Sequence, residues 1–298
     1  MCAKAVLAKA SQPATLVSFD VPAGSCDCHT HIYGDPLQFP MIPGRVYTPQ
    51  TASPDEMAEL HRALGIQRVV IVTPSVYGTD NSATLHGMKA RGAGARGIAV
   101  IDEKTSEDDL DHMNQAGVRG IRLNLATGGA QHVPTGRRRF HAAIERLKGR
   151  NWHLQVLTDL TMISALKDLV AASTVPVVFD HFGGAEADKG LRQPGFSDLV
   201  EMVRSGLAYV KISGAYRCST HGPDYPDVAP LAQALISANP DRILWGTDWP
   251  HPNSVTPPGR KPTEVTPLFQ IDDGRLLNLL ALWAPSAALR EKILVDNP

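Results

Sequence analysis

The chain has 298 residues, of which 43% are hydrophobic and 20% charged, so we expect a soluble globular protein with a substantial core. Its 29 lysines and arginines balance 30 aspartates and glutamates, so no net field attracts nucleic acid or an anionic membrane surface. The four cysteines form no pair of CxxC motifs, and a chain of this size needs no disulfide framework, which indicates a reduced, cytoplasmic protein.

The N-terminal stretch shows neither periodicity nor an export signal. Its first 14 residues lack the run of about seven apolar residues that a signal peptide needs, and no window reaches transmembrane length. We expect residues 1–23 to form an N-terminal arm and residues 24–298 to form a single domain, in a monomer or a small homo-oligomer. Because Pro298 directly follows a helical pattern, we also expect the natural chain to continue for a few residues.

From Ser53 onward, helical patterns alternate with apolar runs. Ser53 is a typical N-cap, Pro54 suits the first helical position, and Glu56 completes a capping box. The run 68–73 that follows has the continuous apolar character of a strand buried on both faces. The same alternation predicts helices at 53–64, 81–91, 106–116, 136–148, 162–171, 196–205, 228–237, 272–282 and 286–296, and strands at 97–101, 120–124, 153–157, 176–181, 208–213 and 242–246.

With the stretch 25–34 as the first strand, the strands number eight, at which a parallel sheet closes into a barrel of roughly 250 residues. An open, doubly wound sheet also alternates in this way, but eight units and no glycine-rich turn after the first strand favour the barrel. We therefore predict a single-domain α/β protein with a (β/α)8, TIM-like barrel. In such a barrel the catalytic side chains lie at the carboxyl ends of the strands.

The first and last of these strand ends carry candidate metal ligands. His29 and His31 are two residues apart on a strand and project to the same side. Asp248 follows the eighth strand, which neighbours the first in a closed barrel. Two imidazoles and a carboxylate suit one divalent metal, with Zn²⁺ the best match. A metal-free alternative is equally open, in which Asp248 is the general base on water and His31 and His181 hold the developing oxyanion.

Three further strand ends carry ionisable side chains. His181 ends the sixth strand and is followed by glycines that leave space around it, while Asp180 should point the opposite way and orient or pack. Arg122 is a single guanidinium in an apolar strand, and a buried arginine needs an anion, either a protein carboxylate or a substrate carboxylate. Arg217 follows the seventh strand, where it could clamp a carboxylate or face solvent.

Other polar residues receive plainer interpretations. Lys211, inside a strand, is expected to pack or to support the site, and Cys26 and Cys28 are expected to be small packing residues. The long loop 35–52 is of a length that is often functional. Four histidines lie in predicted helices and are expected to face solvent: His61, His86, His112 and His141.

Taken together, these residues resemble the amidohydrolase superfamily, and more narrowly its branch of 2-pyrone-4,6-dicarboxylate lactonases, sulfomuconolactone hydrolases and sugar-lactone enzymes. The resemblance rests on Asp-x-His-x-His at 27–31, on Trp-Gly-Thr-Asp-Trp-Pro-His-Pro-Asn at 245–253, on the segment 119–124 and on Asp180-His181. It implies hydrolysis of a small, carboxylate-bearing lactone, with Asp248 activating water and His31 and His181 polarising the carbonyl. The substrate would be gripped by Arg122, Arg217, Tyr47 and Asn253, with His251 and Asn124 as further candidates and His29 beside the reacting centre.

Two departures from the pyrone dicarboxylate enzymes bear on the substrate. Leu125-Ala126-Thr127-Gly128-Gly129 stands where those enzymes have a second arginine, and Leu157 stands where they have a tyrosine. Without those contacts a dicarboxylate would be held poorly, so we predict a lactone with one carboxylate, muconolactone-like or aldonolactone-like. The fourth strand also lacks the metal-bridging lysine or glutamate of the superfamily, which argues against a dinuclear site. A lactone isomerase, a decarboxylase on the same scaffold and a barrel that only binds a ligand remain alternatives.

Overall fold

The computed structural model describes residues 9–127, 132–255 and 259–298, and eight parallel strands form its main sheet. The strands are β1 (Cys26–Thr30), β2 (Thr48–Pro49), β3 (Arg68–Val72), β4 (Ala95–Ala99), β5 (Val118–Asn124), β6 (His153–Leu157), β7 (Val177–Phe179), β8 (Ala208–Ser213), β9 (Ile243–Gly246) and β10 (Val265–Thr266). The order in the main sheet is β1-β3-β4-β5-β6-β7-β8-β9, while β2 and β10 pair separately. The predicted (β/α)8 barrel is therefore confirmed.

Helices connect the barrel strands and cover the outside of the sheet. They are α1 (Pro54–Leu64), α2 (Ser82–Arg91), α3 (Glu107–Gln115), α4 (Val133–Leu147), α5 (Leu160–Ala171), α6 (Phe196–Arg204), α7 (Ala215–Cys218), α8 (Ala229–Ala238), α9 (Asp273–Trp283) and α10 (Ala287–Glu291), which continues as a π turn over Lys292–Asp296. The predicted capping box of α1 is present. The Ser53 side chain accepts a hydrogen bond from the backbone N–H of Glu56, and the Glu56 carboxylate accepts one from the backbone N–H of Ser53. Among the described residues, no helix combines the length and the apolar character that a membrane crossing requires.

The barrel closes between β1 and the residues that follow β9. The backbone N–H of Asp248 donates to the carbonyl of His29 at 2.9 Å, and the N–H of His31 donates to the carbonyl of Trp249 at 2.8 Å. A Cβ at Gly246 would lie 2.8 Å from the backbone nitrogen of His29, so the two strands approach this closely only because residue 246 is a glycine. The two strand ends that carry the candidate ligands are neighbours, as predicted.

The predicted strand 176–181 is too long at its carboxyl end. Strand β7 ends at Phe179, and His181 and Phe182 have φ values of 47° and 55° in the turn that follows. The strand alternation that placed Asp180 on the opposite side from His181 therefore does not apply, and both side chains enter the barrel. The predicted direction of the Asp180 side chain was therefore wrong, and its expected part in orienting or packing stays a prediction.

One of the helical histidines was also predicted wrongly. His86, His112 and His141 are exposed, whereas His61 is fully buried on the inner face of α1. Its Nε2 lies 3.2 Å from Oδ2 of Asp27, a buried carboxylate of β1 that needs a polar partner. The N-terminal arm, of which residues 1–8 lie outside the described part, runs along α9, where Thr15 donates from its N–H and hydroxyl to Asp272.

Candidate active site

Three imidazoles converge on one carboxylate oxygen at the seam of the barrel. Oδ1 of Asp248 lies 3.7 Å from Nε2 of His29, 3.6 Å from Nε2 of His31 and 3.8 Å from Nε2 of His181. All four residues are buried, with exposures between 0 and 5%. The four side chains predicted to be catalytic therefore form one cluster at the carboxyl ends of the strands.

Backbone conformation and a buried carboxylate place these side chains. Asp248 follows β9 with a φ of 65°, which turns its side chain back over the barrel mouth. Below it, Asp27 accepts from the N–H of His29 at 3.1 Å, from the N–H of Thr247 at 3.0 Å and from the Thr247 hydroxyl at 2.5 Å. Asp27 thus joins the ends of the two strands that carry the candidate ligands, a role that the Asp-x-His-x-His spacing alone did not indicate.

The second oxygen of Asp248 is held from the opposite side. Oδ2 accepts from the Tyr216 hydroxyl at 2.6 Å and from Nε of Arg217. Burial acts to raise the pKa of Asp248, but the charge of Arg217 brings it well below its ordinary value. Sequence reasoning found Arg217 but missed Tyr216, whose only signal is its position next to that arginine at the start of the short helix α7.

The contacts of Nδ1, which faces away from the cluster in His31 and His181, determine which ring nitrogen carries the proton. Nδ1 of His31 lies 2.7 Å from the carbonyl oxygen of Val72. A carbonyl only accepts, so Nδ1 carries the proton, and Nε2 of neutral His31 presents a lone pair to Asp248. Nδ1 of His181 lies 2.9 Å from the Ser213 hydroxyl, which can donate or accept. Burial lowers the pKa of His31 and that of His181, the latter to about 4, so both are neutral near pH 7.

This arrangement could hold a divalent cation. Oδ1 of Asp248 and Nε2 of His29 are buried and have no hydrogen-bond partner in the parts of the chain that the structure describes. The facing lone pairs of His31 and Asp248 repel unless a cation or a hydrogen-bond donor lies between them. Two ligands that each lie about 2.1 Å from a tetrahedral metal are roughly 3.4 Å apart. The observed spacings are close to that value, so His29, His31 and Asp248 fit one ion.

A second buried carboxylate lies on the other side of His29. Oδ1 of Asp180 is 3.2 Å from Nδ1 of His29 and 3.4 Å from Nζ of Lys211, and Oδ2 accepts from Nε2 of Gln155 at 2.9 Å. Arg122 is 8% exposed, and its Nε lies 3.6 Å from Oδ2. Of the two anions considered for Arg122, the structure supplies a protein carboxylate.

The remaining predicted substrate-binding residues have intramolecular partners. The Tyr47 hydroxyl is buried 3.2 Å from that of Tyr33, and the carboxamide oxygen of Asn124 accepts from the N–H groups of Ala126 and Thr127. Two others follow β9. His251 is fully buried with Nε2 2.9 Å from Asp273, and half-buried Asn253 accepts from the N–H of Val255. In the segment that departs from the pyrone dicarboxylate enzymes, Gly128 and Gly129 lie outside the described residues.

A barrel with a His/Asp cluster at the carboxyl ends of its first, sixth and eighth strands has the layout of an enzyme active site. The family model described as Amidohydrolase matches residues 26–298, and the chain belongs to this family.

Curated relatives cover nearly the whole chain. It is 36% identical to a 4-sulfomuconolactone hydrolase of Rhizobium radiobacter, over 95% of this chain and 91% of the relative. It is 34% identical to a 2-pyrone-4,6-dicarboxylate hydrolase of Comamonas testosteroni, over 94% and 90%. It is 31% identical to a D-galactarolactone isomerase of Agrobacterium fabrum, over 93% and 90%. An apo crystal structure from Agrobacterium tumefaciens superposes with a TM-score of 0.76 at 30% identity, covering 96% of each chain.

Proposed function

We propose that this protein hydrolyses a small lactone that bears a carboxylate. The observation that carries the proposal is the open oxygen of Asp248, which faces three imidazoles while Tyr216 and Arg217 hold the other oxygen. A carboxylate fixed at one oxygen and open at the other is suited to accept a proton from water. The names of the two relatives that are 36% and 34% identical, both hydrolases, support the same reaction.

The positions of the side chains support the following steps. Oδ1 of Asp248 takes a proton from a water molecule as that water attacks the lactone carbonyl carbon. The N–H groups of the surrounding imidazoles hold the oxyanion that forms. Neutral His31 cannot donate to that oxygen, because its proton is on Nδ1, which donates to the carbonyl oxygen of Val72. When the ring C–O bond breaks, Asp248 returns its proton to the leaving oxygen, which yields a hydroxyl or enol and a carboxylic acid. The acid then ionises and releases the second proton of the water to solvent.

A divalent metal, held by His29, His31 and Asp248, would lower the pKa of its water to about 7 and polarise the carbonyl. Asp248 would serve as the base for the attacking water whether or not an ion is bound. Zn²⁺ is our first candidate because it favours nitrogen ligands and leaves one position open.

We assign the substrate carboxylate to the side of the cluster that carries Arg217 and Arg122. The Arg217 side chain is 25% exposed at the mouth, and Arg122 lies deeper beside Asp180. Arginine pairs with a carboxylate through two parallel hydrogen bonds. Tyr47 and Asn253 are assigned to the same pocket, while Asn124 and His251 are expected to orient their turns. The missing second arginine leads us to propose a substrate with one carboxylate, muconolactone-like or aldonolactone-like.

The second candidate reaction is lactone isomerisation, which the relative named D-galactarolactone isomerase favours. It would use the same side chains, with a substrate hydroxyl in place of water, and would release no acid.

A panel of lactones with zero, one or two carboxylates separates the candidates. We expect acid release in a pH-stat to be fastest with a one-carboxylate lactone and to be lost in Asp248→Asn. Asp168→Asn is the matched control, because that exposed carboxylate pairs with Arg137 on the helical surface. A change of ring size by NMR without acid release would establish the isomerase, and binding with neither would leave only a ligand-binding barrel.

A further inference from the structure

Lys211 is a lysine inside the barrel, directly beneath the catalytic cluster. It lies on β8 and is 2% exposed. Its Nζ is 2.6 Å from Oε1 of Gln155, 3.2 Å from Nδ1 of His29 and 3.4 Å from Oδ1 of Asp180. An ammonium has three N–H donors and no acceptor. These donors face the carbonyl oxygen of Gln155, the carboxylate of Asp180 and Nδ1 of His29, and Nδ1 can accept only if it carries no proton.

The neighbours of Lys211 leave it little freedom. The Gln155 amide group donates to Oδ2 of Asp180 at 2.9 Å, which turns its carbonyl oxygen toward Lys211. The carboxylate of Asp180 balances the buried ammonium. Nδ1 of His29 also lies 3.2 Å from Oδ1 of Asp180, to which it could donate only if it carried a proton. Lys211 therefore favours an unprotonated Nδ1 on His29, whereas Asp180 favours a protonated one.

We infer that Lys211 is a positioning residue that keeps Nδ1 of His29 as an acceptor, so that neutral His29 presents an Nε2–H donor to the active site. The contact between Nζ and Nδ1 has hydrogen-bond geometry, whereas Oδ1 of Asp180 has no hydrogen-bond partner within the described ranges. His31 has the opposite arrangement, with its proton on Nδ1 and a lone pair on Nε2. His29 and His31 thus differ in which ring nitrogen carries the proton.

This difference divides their tasks. In the metal-free form of the proposed function, His29 donates to the oxyanion of the lactone, whereas His31 offers its lone pair to water. A metal ligand must offer a lone pair, so Lys211 weakens His29 as a ligand. Removing Lys211 would let Nδ1–H donate to Asp180, the arrangement that is typical of metal-binding histidines.

The tautomer can be read in the unaltered protein without any substrate. We would label histidine with nitrogen-15, remove metal by chelation, and assign His29 by comparison with His29→Gln. Two-bond proton–nitrogen correlations should show Nε2 protonated in His29 and Nδ1 protonated in His31. A proton on Nδ1 of His29 would overturn the inference, and this result would leave the hydrolysis of lactones untouched.

Zinc binding gives an independent test. Lys211→Met keeps the length of the side chain without its donors, and Lys167→Met, at a half-exposed surface lysine paired with Asp198, is the matched control. Outer hydrogen-bond partners commonly change metal affinity 10–100-fold, so we expect Lys211→Met to bind Zn²⁺ about tenfold more tightly in competition with a chromophoric chelator. Equal affinity in folded Lys211→Met would contradict the inference. If that variant does not fold, the tautomer measurement decides alone.

Discussion

Asp248 and Asp180 are two fully buried carboxylates on opposite sides of His29, and they differ in how they are partnered. Asp180 is surrounded by Lys211, Arg122 and the amide of Gln155, so both of its oxygens face donors. In Asp248 only Oδ2 is held in this way, and Oδ1 faces imidazole nitrogens at 3.6–3.8 Å.

This comparison shows that burial and a displaced pKa do not by themselves identify a reactive group. The pKa values of Asp180 and Asp248 are both well below the ordinary value, because nearby cations outweigh the effect of burial. A carboxylate whose two oxygens both face fixed cations stabilises the groups around it. An oxygen that faces only imidazole nitrogens can instead take a proton or bind an ion. The two residues should therefore respond differently to the same substitution.

The largest effect is expected from Asp248→Asn. The amide cannot accept the proton of water at Oδ1, so kcat should fall by about 10³-fold or more. The free energy of unfolding should change little, because Arg217 is partly exposed and water can solvate it. Steady-state kinetics and urea unfolding on the same preparation measure both quantities. Turnover within tenfold of the unaltered protein would remove Asp248 from the mechanism.

Asp180→Asn should reverse that pattern. It leaves Lys211 and Arg122 buried without a counter-charge, and breaking a buried pair costs about 3–5 kcal/mol. We expect urea unfolding to show a loss of this size, together with a smaller loss of activity than Asp248→Asn causes. A stability equal to that of the unaltered protein would show that Asp180 does not have the stabilising role that distinguishes it from Asp248.

A smaller change is expected from Tyr216→Phe, which removes one of the two donors to Oδ2 of Asp248. The aromatic ring stays and Arg217 still holds the oxygen, so the protein should fold normally. A hydrogen bond to a charged group contributes about 1.5–3 kcal/mol, so kcat should fall roughly tenfold or somewhat more with little change in KM. A rise in KM alone would instead place Tyr216 in substrate binding.

The smallest effect concerns pH and a histidine on the Asp180 side of the barrel. Burial, followed by the charge of Lys211, lowers the pKa of His153 to about 4. The unfolded chain binds this proton near pH 6.5 and the folded protein does not, so stability is full above pH 6.5 and is lost as pH falls toward 4. His153→Gln should flatten the dependence of the unfolding free energy on pH in that window. An unchanged slope would contradict the assignment.

The sequence predicted the barrel because the helical and apolar patterns alternate eight times. It predicted the clustered histidines and Asp248 of the candidate site because they follow apolar runs. It did not predict Tyr216, Gln155 or the contacts of Asp27 and Lys211. Those contacts join side chains from strands far apart in sequence, and their distances depend on the closure and stagger of the barrel. The direction of Asp180 was missed because periodicity does not reveal where a strand ends or where φ becomes positive.

The central claim is that Asp248 delivers water to a lactone carbonyl, and the source of the product oxygen tests it most directly. Turnover of a one-carboxylate lactone in ¹⁸O-labelled water should place one ¹⁸O atom in the new carboxylate, and Asp248→Asn should form almost no labelled acid. A product formed at full rate without ¹⁸O from water would contradict the hydrolytic account and would indicate attack by a substrate hydroxyl.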